Sequence, residues 1–160
     1  GTTLHDIKAY GEFDGNLGSL AADGSPIFNI TKFWRNTITY TATGQRYVTT
    51  LPKRDRYLSM HFFGQTADPI TSIQIKRDND VLLDENVPKR VNDLNLIKAG
   101  INPLALSDNR FDVIFDRDDL VDSGSLMNGV SELEIILNLA SAAATNKAIA
   151  LITQAYGPRD

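Results

Sequence analysis

Leu133, Ile135, Leu137 and Leu139 recur at every second position, with Glu132, Glu134 and Asn138 facing the other way. That period of two is the mark of a β-strand with one buried face, because successive side chains on an extended chain point to opposite sides. Phe111, Val113 and Phe115 repeat it against Asp112, Ile114 and Asp116. A chain carrying several such segments must build sheets whose apolar faces meet.

The other segments agree. Ile73 and Ile75 alternate before Arg77-Asp78-Asn79-Asp80, and Val81 and Leu83 alternate after it, which predicts a β-hairpin with a four-residue polar turn. Ile27, Phe28, Ile30, Phe33 and Trp34, then Thr37 to Thr41, are the branched and ring side chains that suit a pleated surface. Tyr57 to Phe63, closed by Gly64, predicts a further strand, and Lys147 to Ala155 predicts the last, although Ala142-Ala143-Ala144 before it favours helix.

One helix interrupts the series. Pro88 suits a first helical turn, Asn86 or the residue after it can cap it, and Gly100 stops it before Pro103. Val91, Leu94 and Ile97 recur at intervals of three within it. Strands and helix never alternate as a parallel sheet would require. The expected fold is therefore all-β, a jelly-roll β-sandwich or barrel of about eight strands, with one short helix inserted at about Pro88 to Ala99. Residues 1–26, rich in Gly, Asp and small side chains, read as a partly extended N-terminal arm with one strand near Leu4 to Tyr10. Residues 27–157 read as a single domain.

Composition narrows the function by exclusion. With 42% hydrophobic and 22% charged residues, 160 residues suffice for one buried core. A net charge of −4 argues against a protein whose main task is gripping phosphate backbones, so no specific nucleic-acid partner is expected. The group Lys53, Arg54, Asp55 and Arg56 reads as a solvated loop or, more sharply, as a contact for an anionic partner. No cysteine is present, which removes disulfides, thiolate nucleophiles and cysteine zinc sites. Apolar runs are too short for a membrane-spanning helix, and the chain is expected to be soluble.

No enzymatic machinery is legible. His61 sits inside an apolar strand and reads as a structural or surface residue; His5 adjoins Asp6, but neighbours on an extended chain point apart. The Gly-x-Ser-x-Gly elbow, the phosphate loop and the His-Glu-x-x-His helix are all missing. Glu132 and Glu134 look like the solvent side of a strand rather than a glycosidase pair. Closely spaced carboxylates at Asp116, Asp118, Asp119 and Asp122 are the candidate metal ligands, for calcium, with a helix cap or solvated loop as the alternative. No other cofactor is expected. Trp34, Tyr40, Tyr47 and Tyr57 could stack on sugars or pack in the core.

The order of elements from Tyr57 to Phe115 is distinctive. A hydrophobic strand precedes the hairpin Ile73-Gln74-Ile75-Lys76 to Val81-Leu82-Leu83-Asp84, then the helix Pro88-Lys89-Arg90-Val91-Asn92-Asp93-Leu94-Asn95-Leu96-Ile97, then the strand Arg110-Phe111-Asp112-Val113-Ile114-Phe115. This resembles the first jelly roll of major capsid proteins from tailless, membrane-containing icosahedral phages, the corticovirus and tectivirus-like double jelly-roll lineage. The resemblance covers roughly residues 26–156.

It implies a structural virion protein without catalysis, located in the virion capsid after synthesis in the host cytoplasm. The implied partners are copies of itself in a homotrimer or other capsomer, neighbouring capsid proteins and an internal viral membrane. The helix would brace the barrel while arm and loops make the contacts. Members of this lineage usually carry two barrels, and this chain has room for one. The alternative reading is a carbohydrate-binding or adhesin-like β-sandwich, and a sandwich enzyme stands third.

Overall fold

The computed structural model describes residues 29–40, 45–48, 51–64, 69–78, 80–83, 87–102, 109–116, 124–140 and 147–158. The arm expected over residues 1–26 lies outside them. Among the described residues nine strands form, β1 (Asn29–Tyr40), β2 (Gln45–Val48), β3 (Arg56–Phe63), β4 (Ile70–Arg77), β5 (Asp80–Leu83), β6 (Arg110–Ile114), β7 (Ser125–Leu126), β8 (Leu133–Leu139) and β9 (Lys147–Pro158), with the helix α1 (Lys89–Lys98) between β5 and β6.

The alternation seen in the sequence becomes an inward and an outward face. In β8, Leu133, Ile135, Leu137 and Leu139 are buried and the residues between them are half-buried. In β6, Phe111 and Val113 face the same core. The ambiguous last segment is a strand, and its Ile149 and Leu151 are fully buried.

Strand pairing gives the topology. One sheet, here sheet I, has the order β1-β9-β3-β6, with β7 added on β3; sheet II has the order β2-β8-β4-β5. Every pair is antiparallel, and four pairs nest in sequence: β1 with β9, β2 with β8, β3 with β6, and β4 with β5. The chain is thus one long hairpin folded back on itself, with its tip between β4 and β5. Rolling that ribbon into two facing sheets is the jelly roll. Between the sheets lie Tyr57, Met60, Phe62, Ile73, Ile75, Phe111, Leu133, Ile135 and Leu151, among others. Each such side chain contributes about 1.5–3 kcal/mol by leaving water.

At the hairpin tip Arg77 pairs directly with Asp80, so the turn is two residues long where four were expected. Asp78 takes φ 51°, the left-handed conformation that a two-residue hairpin turn favours and that Asp tolerates. Its Oδ1 accepts hydrogen bonds from the backbone amides of Ser131 at 3.0 Å and Glu132 at 2.8 Å, which ties the tip to the start of β8.

Two register shifts change which residues face in. On β5, Lys76 pairs with Val81 and Ile75 with Leu83, so Leu82 is an extra residue. Leu83 is therefore buried and Val81, two positions earlier, is exposed, against the alternation expected of them. On β3 the shift between Tyr57 and Ser59 makes Leu58 the extra residue. Tyr57 and Met60 both reach the core, and Ser59 and His61 face outward.

The helix lies where it was expected, but its N-cap is Pro88 rather than Asn86 or the residue after it, and its C-cap is Ala99. Gly100, at φ 78°, donates to the Ile97 carbonyl, and Ile101 donates to the Leu96 carbonyl. This pair of hydrogen bonds is the Schellman closure, and the positive φ explains why glycine ends the helix. The orientation of the helix departs from what its spacing suggests. Asn92, Asp93 and Leu96 are buried, whereas Val91, Leu94 and Ile97 face solvent. The cause lies in what α1 covers: β6 is the edge strand of sheet I, and Asn92 Nδ2 donates to the Asp112 carbonyl at 2.7 Å. Asp93 turns inward with a Lys89 partner one turn earlier.

Candidate functional site

The densest polar cluster lies on the outer face of sheet I. Ser59 and His61, two residues apart, share one face of β3, and the bulge at Leu58 turns that face outward. Cross-strand pairing then sets Asp112 of β6 opposite His61, and Gln154 of β9 opposite Ser59. His61 Nδ1 is 2.6 Å from Asp112 Oδ1, and His61 Nε2 is 2.9 Å from Ser59 Oγ. Arg110 Nε donates to the same Asp112 Oδ1 at 2.7 Å, and the Arg110 guanidinium lies 5.3 Å from the centre of the Phe63 ring.

Burial alone would raise the Asp112 carboxyl. Hydrogen bonds from His61 and Arg110, together with their charges, outweigh it and hold the group below the usual carboxylate range.

Serine, histidine and aspartate joined in this order are the parts of a hydrolytic triad, and the surroundings assign them another role. Arg110 already holds the carboxylate oxygen that would orient the imidazole for catalysis. The Ser59 hydroxyl also donates to Gln154 Oε1 at 3.2 Å, and Ser59 is 3% exposed. Ser59 stands in mid-strand with β6 and β9 on either side, so its flanking backbone groups serve the sheet rather than a developing oxyanion. The arrangement clamps β6 and β9 onto β3. Sequence reasoning read His61 as a structural or surface residue and missed its partners Asp112 and Ser59, which no local signal reveals.

The remaining expected sites divide. Asp116 is half-buried beside Ser59, His61 and Gln154, and its amide donates to the Leu58 carbonyl at 3.2 Å. Asp118, Asp119 and Asp122 lie outside the described residues, as does His5. Among the described residues, no group of three or more His, Cys, Asp or Glu side chains could hold a metal ion. No described helix is long and apolar enough to cross a membrane.

The basic group around residue 54 is not a uniform patch. Asp55 is buried and pairs with Lys32 at 3.3 Å, Arg56 Nη1 donates to the Gly124 carbonyl at 2.9 Å, and Lys53 donates to the Ser131 carbonyl.

Of the four candidate sugar-stacking aromatics, the side chains of Trp34 and Tyr57 are described, and they pack on each other. Tyr57 is fully buried, 5.8 Å from Trp34 between ring centres, and donates to the Pro52 carbonyl at 2.8 Å. Burial, helped by the Asp55 carboxylate, pushes the Tyr57 phenol well above its ordinary range. The side chains of Tyr40 and Tyr47 lie outside the described residues.

A rolled ribbon of eight principal strands, closed on one flank by a helix, is the architecture of a jelly-roll domain. The sequence model for the family described as viral coat protein P2 C-terminal domain matches residues 30–155. The chain belongs to this coat-protein family. The matching family is that of the C-terminal domain, which corrects the expected placement in the first jelly roll and keeps the lineage.

Among solved structures, the chain is similar to the major capsid protein P2 from bacteriophage PM2, with a TM-score of 0.68 and 16% identity. The match covers 85% of this chain and 47% of that one, so the chain spans about half the length of the coat protein it resembles. No curated protein sequence matches.

Proposed function

We propose that this domain acts without catalysis, by self-assembly into a capsomer, a homotrimer in its simplest form, that packs with neighbouring capsid proteins. The observation that carries the reading is the nested pairing from β1–β9 inward to β4–β5, combined with membership of a coat-protein family over residues 30–155. A rolled ribbon satisfies most of its backbone groups internally, so that side chains on flanks and loops are left to bind neighbours. Repeated contacts, each weak, then hold a shell through multivalency. The sugar-binding alternative loses support with the burial of Tyr57 and its packing on Trp34.

Light scattering coupled to size-exclusion chromatography, run across concentration and salt, tests the proposal. A discrete oligomer that grows with concentration is the expected result. A strict monomer under every condition would overturn self-assembly of this domain.

A further inference from the structure

The hydroxyl of Ser59 has one proton, and it is donated to Gln154 Oε1 at 3.2 Å. The 2.9 Å contact between Ser59 Oγ and His61 Nε2 is therefore made by a proton on the ring. On the other side of that ring, Nδ1 stands 2.6 Å from Asp112 Oδ1, and the Asp112 carboxyl is held in its charged form, which accepts and cannot donate. Both ring nitrogens then carry hydrogen. The arrangement is that of a doubly protonated, charged imidazole.

Removing the proton from His61 Nε2 leaves a second complete arrangement on the same atoms. Nδ1 still donates to Asp112, the Ser59 hydroxyl turns to donate to the bare Nε2, and the Ser59 oxygen needs a new donor. Turning the Gln154 amide end for end supplies it, because the amide nitrogen then stands where Oε1 stood. The two arrangements differ by one proton, one hydroxyl rotation and one amide flip. Ser59 is buried, so water does not stand in for a missing partner there, whereas the His61 side chain is 21% exposed and exchanges its proton with solvent. Among the described residues, the charged groups on this face are Asp112 and Arg110 of β6, Asp116 just beyond it, and Arg35 of β1, which lies across Ile152 of β9 from His61. Two are negative and two positive, so charge alone imposes neither state on the ring.

We propose that His61, Ser59 and Gln154 form a proton-driven switch on the outer face of sheet I, in which loss of the His61 Nε2 proton reverses the Ser59 hydroxyl and flips the Gln154 amide. With the ring charged, Gln154 turns its NH2 group away from Ser59 and offers donors outward; with the ring neutral, it offers its carbonyl oxygen instead. That amide borders a shallow pocket of about 290 Å³ shared with Leu58, Ile101, Ile114 and Asp116. Anything seated over the pocket meets a donor at low pH and an acceptor at high pH. The β3–β6 clamp survives both states, because Nδ1 keeps its bond to Asp112 throughout.

Nuclear magnetic resonance on the isotope-labelled 160-residue chain tests this from about pH 5 to about pH 9, a range that spans imidazole protonation. The chain has two histidines, so His5→Gln assigns the ring signals of His61. In the unaltered chain the His61 ring nitrogens and the Gln154 side-chain amide should move together, with one shared midpoint. Ser59→Ala should uncouple them, leaving a ring that titrates beside an amide that does not respond, and Ser59→Thr, which keeps the hydroxyl, should preserve the coupling. Gln154→Met removes the acceptor that the charged arrangement needs without altering net charge. It should lower the His61 midpoint by about one pH unit, a roughly tenfold weaker hold on the proton. Backbone amide spectra check that each variant keeps the β3–β9 pairing, and the shared midpoint in the unaltered chain decides the matter even where a variant does not fold. A Gln154 amide that stays still while His61 titrates would overturn the switch. So would a ring that keeps one charge state across the range, or a folded Gln154→Met variant with an unchanged midpoint.

Discussion

The carboxylate of Asp55 lies so close to the backbone of Gly157 that a β-carbon there would stand 2.1 Å from Oδ1 and 2.6 Å from Cγ. Gly157 pairs with Ile30 across β9 and β1, and Asp55 precedes β3, so this approach fixes the end of the outer strand pair against the neighbouring loop. Gly157→Ala is therefore expected to cost about 1–3 kcal/mol and lower Tm by several degrees. Asp55→Ala is also destabilising, since it deprives Lys32 of this buried carboxylate. In a double-mutant cycle the pair should lose less than the sum of the single losses, because removing the carboxylate makes room for the methyl group. Strict additivity would count against the steric argument.

The clamp around Asp112 makes stability depend on pH. A carboxyl held below its unfolded value stabilises the fold fully above the unfolded value, about pH 4, and loses that contribution as pH falls through the folded value. Asp112→Asn should cost about 1–3 kcal/mol at pH 7, since it removes the charged acceptor of His61 and Arg110. Denaturant titrations at several pH values should show the gap between the two proteins closing below about pH 4. A gap that stays constant down to pH 2.5 or so would mean that the charge of Asp112 is not what holds β6 to β3.

Asp78 combines a positive φ with two accepted amide bonds, and substitutions separate the two contributions. Asp78→Asn keeps an oxygen acceptor and tolerates the left-handed backbone, so it should be nearly neutral. Asp78→Gly relieves the backbone and loses both bonds, while Asp78→Ala loses both and keeps the strain. The expected order of thermal stability is Asp and Asn, then Gly, then Ala, with steps of about 1 kcal/mol. Alanine as stable as asparagine would show that the hairpin tip is not held by this side chain.

What could be read from the sequence follows from how local each signal is. The alternation along β8 needs only neighbouring residues, and every one of Leu133, Ile135, Leu137 and Leu139 faces the core as its period requires. Gly100 likewise announces its own cap. By contrast, the bulges at Leu58 and Leu82 shift parity through pairing with distant strands, so Ser59 and Val81 change faces without any local mark. His61 and Asp112 are 51 residues apart, and only the β3–β6 register brings them together. The helix is legible in position and at its C-terminal end, while its cap falls on Pro88 rather than on Asn86 or the residue after it. Its inward face is not legible, because the choice of Asn92 over Val91 is made by the exposed edge of β6.

That inversion gives the sharpest contrast between two leucines two residues apart. Leu96 is 1% exposed and is the one apolar anchor of α1, with Asn92 and Asp93 as its buried neighbours on the helix. Truncating it leaves a cavity between the helix and the sandwich, so Leu96→Ala should cost about 2–4 kcal/mol in denaturant unfolding. Leu94 is half-exposed, so Leu94→Ala should change the stability of the isolated domain by less than about 1 kcal/mol. A helix packed by the face that its Val91-Leu94-Ile97 spacing suggests would give the reverse order. Hydrogen exchange adds an independent readout: Leu96→Ala should speed exchange of the α1 amides, and of Asp112 and its neighbours on β6, while leaving the β1–β9 pair as protected as before.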